Sequence, residues 1–254
     1  MRPVAMLGMM LLASTIGCAT ARKPDVLGAQ RALASELVAR KDWPAAFAAA
    51  DGLCRGAPGR PEGYLLRGIV YREQGLQAEA EADLREALRL ERKLAAAHSA
   101  LAILYDTQGR SAEAQEHHRQ AAELEPRNAG YLNNVGFSLF AHGRAREAIP
   151  VLHEALRAAP ADARIRNNLG FAYAASGDLS RAAEQFERGG SPAQAKNNMG
   201  WAYERRGARA QAFDAYVESV RADPGAPAAR ENLARLAKEL QRDLPSDLAT
   251  PGGV

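Results

Sequence analysis

The chain is predicted to be an all-α solenoid in which helix–turn–helix units stack side by side and one further helix closes the end. Three observations carry this. A phrase recurs, N-N-V-G-F at Asn133 to Phe137, N-N-L-G-F at Asn167 to Phe171 and N-N-M-G-W at Asn197 to Trp201, spaced 34 and then 30 residues apart. A period of that size marks supersecondary units that bury their apolar faces only against one another. Ala, Leu, Arg and Glu are abundant while aromatic residues make up only 6%, which favours helix over strand. Glycine and then proline return at matching places in each unit, as helix stops should.

The first residues stand apart from the array. Met1-Arg2 supplies a positive end, and Val4 to Ile16 is a run of thirteen apolar or small residues, too short to cross a bilayer. Residues 1–17 therefore read as a signal peptide and residues 18–26 as a short polar tether. Thr15-Ile16-Gly17-Cys18 resembles the lipobox of bacterial lipoproteins, with Thr15 where Leu is most often found. That resemblance implies acylation at Cys18, and Ala19 after it implies sorting to the outer membrane, on the periplasmic face. The competing reading is cleavage after Ala19-Thr20-Ala21, which would discard Cys18 and release a soluble periplasmic or secreted protein. The other cysteine, Cys54, has no partner once the leader is processed and sits beside Leu53 on an expected helix, as a small core residue.

From residue 27 one frame fits the rest, with units 27–60, 61–94, 95–128, 129–162, 163–192 and 193–226 and a capping helix over 227–241. The eighth position of each unit is small: Ala34, Gly68, Ala102, Gly136, Gly170 and Gly200. The twentieth is always alanine: Ala46, Ala80, Ala114, Ala148, Ala182 and Ala212. Small residues there let two helices approach closely. Larger ones at the eleventh (Leu37, Tyr71, Tyr105, Leu139, Tyr173, Tyr203) and, past the first unit, at the twenty-fourth (Leu84, His118, Leu152, Phe186, Tyr216) fill the space left over. Gly75, Gly109, Gly143, Gly177 and Gly207, with Lys41 in the first unit, end the first helix. Pro58, Pro126, Pro160 and Pro224 end the second, and Arg92 stands in for proline in the second unit. The fifth unit is four residues short: its second helix stops at Gly189-Gly190, and Ser191-Pro192 restarts the chain. After residue 241 the chain, with Pro245, Pro251 and two glycines, is expected to be a disordered tail.

The small residue, the aromatic, the alanine and the closing proline in these positions resemble the tetratricopeptide repeat, over residues 27 to about 240. The resemblance implies a right-handed α-solenoid that binds proteins or peptides. More narrowly, the N-N-x-G units, the shortened unit and the final N-L-A-R-L helix resemble the repeat lipoproteins of Tad (Flp) pilus assembly, and the plan is similar to the pilotin-like lipoproteins of type IV pili. That implies an envelope adaptor working with a secretin or another pilus-assembly component. The alternative is a general cell-envelope scaffold for a cell-wall enzyme or an outer-membrane assembly complex.

The net charge of +3, from 33 basic and 30 acidic residues with the signs interspersed, leaves no stripe for nucleic acid. No catalytic or cofactor motif is present, so neither catalysis nor a cofactor is expected. His98, His117, His118, His142 and His153 lack Cys or paired carboxylates at ligand spacing and read as packing or surface residues, with no metal site. The candidate site is the inner surface lined by the first helices. There Asn133, Asn134, Asn167, Asn168, Asn197, Asn198 and Asn232 form a ladder of amides suited to a peptide backbone. Phe137, Phe171 and Trp201 add apolar contact. The competing role for the ladder is local helix contact alone.

Overall fold

A computed structural model describes residues 26–248, so the expected signal peptide, Cys18 and residues 249–254 lie outside the described residues. Thirteen α-helices and no strand occur among the described residues. They run in pairs: α1 (Val26–Ala39) with α2 (Trp43–Gly56), α3 (Pro61–Glu73) with α4 (Gln77–Leu90), and α5 (Ala95–Thr107) with α6 (Ser111–Leu124). Next come α7 (Ala129–Ala141) with α8 (Ala145–Ala158), α9 (Ala163–Ser176) with α10 (Leu179–Gly189), and α11 (Pro192–Arg205) with α12 (Arg209–Ala222). The last helix, α13 (Pro227–Leu240), is unpaired.

One device makes all six hairpin turns. Lys41, Gly75, Gly109, Gly143, Gly177 and Gly207 take positive φ. Each reverses the chain so that the next amide reaches back to the carbonyl of the eleventh residue of its unit. Asp42 donates to Leu37 at 3.0 Å, and Leu76, Arg110, Arg144, Asp178 and Ala208 donate to Tyr71, Tyr105, Leu139, Tyr173 and Tyr203 at 2.9 Å. These bonds satisfy carbonyls that the helix end would leave open.

Within a pair, the small eighth residue lies under the twenty-fourth. A Cβ built on Gly136 would sit 2.5 Å from Cγ of Leu152, and one on Gly170 2.5 Å from Cε1 of Phe186. Between pairs, each odd helix packs on the next odd helix, while the even helices touch only odd ones. Closer spacing on the odd side curves the stack and makes the odd helices its inner wall. Leu152, Phe186 and Tyr216 are fully buried, so the core is a ribbon between the two helix layers.

Arg67 on α3 stitches the first two pairs together. Its guanidinium donates to Asp83 on α4 at 2.7 and 3.0 Å and to Asp51 on α2 at 2.7 Å. Cys54 lies buried under Gly63, and burial pushes its thiol pKa up to about 11.

Two places depart from the regular plan. Helix α10 has 11 residues where the other even helices have 14; Ser191 then caps α11 in a reciprocal capping box with Gln194. The expectation of a disordered tail is corrected as far as Leu248. Gln241 turns the chain through a left-handed conformation, Arg242 stacks over Phe213 at 4.0 Å, Arg221 holds Asp247 at 2.8 and 3.1 Å, and Leu248 packs on the α12–α13 core. No described helix is long and apolar enough to cross a membrane.

Candidate functional site

The recurring Asn-Asn pairs fall one turn into α7, α9 and α11, on the odd-helix side. The second amide of each pair reaches across to the preceding odd helix. Asn134 Nδ2 donates to Ser99 Oγ at 3.2 Å and Asn168 Nδ2 to Asn133 Oδ1 at 2.8 Å. Asn198 Nδ2 donates to Asn167 Oδ1 at 3.3 Å and Asn232 Nδ2 to Asn197 Oδ1 at 3.0 Å. The ladder therefore bonds repeat to repeat.

This corrects the expected role of Asn133, which is only 3% exposed and has its carbonyl oxygen occupied. Asn167 has a further structural duty: its Nδ2 donates at 3.2 Å to the carbonyl of Gly189, the open end of the shortened α10. The amides of Asn134, Asn168, Asn197, Asn198 and Asn232 are partly buried, each already committed to a neighbour.

What the inner wall offers instead is aromatic. Phe137 is 48% exposed, and its ring lies 6.4 Å from Phe140, a residue the sequence reading did not select. Phe140 in turn lies 6.2 Å from both Phe171 and Trp201, and the last two meet edge to face at 4.9 Å. Phe171 also touches buried Phe186 at 4.9 Å, which anchors the patch to the core. Four rings from three odd helices thus form one surface. Its missed member is legible in retrospect, because Phe140 follows Phe137 by three residues and shares its helix face.

Two hollows flank the patch. One of about 470 Å³ lies beside Phe140 and Trp201, with Ala174, Ala175, Arg205 and Arg206 also lining it. The other, about 370 Å³, lies beside Phe137, lined by Ile103, Asn134 and His142. Arg205 stands over the Trp201 ring at 5.6 Å. Glu204 is committed elsewhere, accepting from Tyr216 Oη at 2.6 Å and Arg235 at 2.7 Å. Burial works to raise its pKa, but those two partners hold it below the usual carboxylate value.

The histidines have bonded partners. His118 Nε2 lies 2.9 Å from Asp106, His142 Nδ1 donates to Ser138 O at 2.7 Å, and His153 Nε2 lies 2.7 Å from Tyr173 Oη. His98 donates from Nε2 to the carbonyl of Arg92 at 3.0 Å and meets His117 Nδ1 to Nδ1 at 2.8 Å. Burial, and then His98, holds His117 below its ordinary pKa. Among the described residues no three His, Cys, Asp or Glu converge as a metal site.

Comparison with known proteins agrees with this geometry. Residues 61–94 and 139–198 match family models described as tetratricopeptide repeat. No curated protein matches the chain in sequence. Solved structures of similar fold include the APC/C hetero-tetramer Cut9-Hcn1, at 18% identity over 85% of this chain with a TM-score of 0.68. This chain spans only 44% of that one. Pseudomonas aeruginosa pilF is similar at 15% identity, 82% of this chain, 97% of that chain and a TM-score of 0.64. YrrB, described as a TPR protein with an unusual peptide-binding site, is similar at 20% identity, 72% and 96% coverage and a TM-score of 0.54.

Proposed function

We infer that this tetratricopeptide-repeat protein is a non-catalytic adaptor that holds a polypeptide segment of a partner on its inner wall. The observation that carries this is the aromatic surface of Phe137, Phe140, Phe171 and Trp201, with Phe137 about half exposed in the unbound chain. A soluble fold leaves aromatic rings contiguous and open where something else covers them. The inner wall is concave, and amide bonds tie together the three helices that carry the rings.

Its setting is the periplasmic face of the outer membrane, with Cys18 as the acylated residue, and its role is to assist assembly of a Tad/Flp or type IV pilus or a related secretion apparatus. The lipobox-like Thr15 to Cys18 supports the anchor. The pilus role is supported by the resemblance in repeat plan and by the likeness in fold to pilF, a chain of which this one spans 97%.

Two measurements test the reading in the native cell. Cys18→Ala should move the protein from the membrane to the soluble envelope fraction; a mature N-terminus at Arg22 would overturn the anchor. A photo-crosslinking phenylalanine analogue at Phe137 should trap an envelope protein, with Glu154 on α8 as the outer-wall control. A secretin or pilus-assembly component in the Phe137 adduct supports the pilus role, whereas a cell-wall enzyme would favour the scaffold alternative. Equal trapping at both positions would refute the inner wall as the binding surface.

A further inference from the structure

We propose that the hollow beside Phe140 and Trp201 is a socket for an aromatic side chain carried next to a carboxylate, so that the captured segment is acidic and aromatic. The proposal rests on the inner wall as the polypeptide site and names the chemistry that site selects.

The hollow is a consequence of unequal side chains at one repeat position. The twelfth residue is Phe140 in α7 but Ala174 in α9, and Ala175 follows as an exposed wall. Alongside the paired Phe140 and Trp201 rings this leaves about 470 Å³ of space walled by those rings, by alanines and by two arginines, enough for a large side chain to enter and stack on them from the side.

Charge at the rim decides which side chains can enter. Arg205 and Arg206 are both exposed, and neither forms an ion pair among the described residues. Their neighbours differ. Arg209 pairs with Glu239, and Arg235 pairs with Glu204 and Glu239. The nearest carboxylate in sequence, Glu204, is already held by Tyr216 and Arg235. Two uncompensated guanidinium groups thus stand at the mouth of an aromatic hollow, one of them over the Trp201 ring. A guanidinium fork binds carboxylates through paired hydrogen bonds, and arginine beside aromatic rings is the composition of binding hot spots. Position at the end of α11 favours cations through the helix dipole and accounts for a basic residue there, but not for the hollow beside it.

The test uses Trp201 as reporter, after Trp43→Phe removes the other of the two tryptophans. The probes are an acetylated, amidated Asp-Phe-Glu-Phe-Asp peptide and its Asn-Phe-Gln-Phe-Asn counterpart. The acidic peptide should shift Trp201 emission with affinity about tenfold or more above the neutral one. That preference should shrink as salt rises from about 50 to about 500 mM. Arg205→Gln with Arg206→Gln should abolish the preference while leaving the melting temperature in place. Ala175→Leu, which narrows the hollow from an exposed wall, should weaken both peptides.

Equal binding of the two peptides overturns the charge selection but leaves the inner-wall reading standing. Failure of both peptides, with a partner still trapped at Phe137, overturns the socket alone. Failure of both with no adduct at Phe137 removes the reading beneath it as well. A Trp201 shift with phosphatidylglycerol vesicles and none with peptide would assign the arginines to a lipid surface, and the proposal would be wrong.

Discussion

Gly170→Ala should destabilise the protein although alanine is the better helix former. The added Cβ would lie 2.5 Å from Cε1, 2.7 Å from Cδ1 and 3.0 Å from Cζ of Phe186. Carbon atoms at contact stand about 3.5–4.0 Å apart, so roughly 1 Å of overlap must be relieved. The ring has little freedom to give way, being fully buried and pinned edge to face by Phe171 at 4.9 Å. Overpacking of this kind costs about 1–3 kcal/mol. The gain in helix propensity returns about 1 kcal/mol. The net loss, up to about 2 kcal/mol, should lower the thermal midpoint by up to roughly 8 °C, followed by circular dichroism. Gly52→Ala is the control, since Gly52 lies within α2 with nothing within 4 Å of its would-be Cβ. There the propensity gain acts alone and the midpoint should rise. Phe186→Ala should cost less in the Gly170→Ala background than in the parent, because the two share the contact. A midpoint for Gly170→Ala at or above the parent's would refute the close-packing argument.

Three further outcomes follow from the described contacts. Asn168→Ala leaves the buried Asn133 oxygen without its donor, so it should cost about 1–3 kcal/mol of stability; an unchanged urea midpoint would show that the ladder bond carries nothing. Below the ordinary histidine value of 6.5 stability should fall. His117, lowered by burial and then His98, and His153, lowered by burial and then Arg157 and Arg181, stay neutral in the fold at pH values where the unfolded chain binds protons. The urea midpoint should therefore drop from pH 7.5 to 5.5 and drop less in His117→Gln; a flat profile would count against it. Cys54, its thiol raised from 9.0 to about 11, should label with a maleimide about a hundredfold more slowly than an exposed thiol at pH 8, and normally in urea. Rapid labelling of the native protein would show that the α2–α3 contact opens.

The repeat plan was open to reading because it is written in size. A Gly at the eighth position faces a large residue at the twenty-fourth in Gly136 with Leu152 and Gly170 with Phe186, and such complementarity survives in a bare sequence. The turns were equally visible, since left-handed conformations at Gly75 to Gly207 select for glycine. The partners of the amides were not. Whether Asn168 reaches Asn133 depends on the rise and rotation between units, which no local pattern encodes. Phe140 escaped notice because its position is aromatic in one unit only. The ordered stretch to Leu248 was hidden by its proline and polar residues, and what holds it is two distant contacts, Arg221 with Asp247 and Leu248 with the α12–α13 core.

The run of amide bonds from Ser99 to Asn232 is a gauge for the curvature of the array. Each rung spans a fixed gap between neighbouring odd helices, so flattening the coil would stretch every rung at once and tightening it would compress them. At the other end the first two pairs are joined by charged groups, Arg31 to Glu62 at 3.5 Å and Arg67 to Asp51 at 2.7 Å. The amide rungs join the same helices that carry the rings. A guest at the rings must therefore adapt its own shape to theirs.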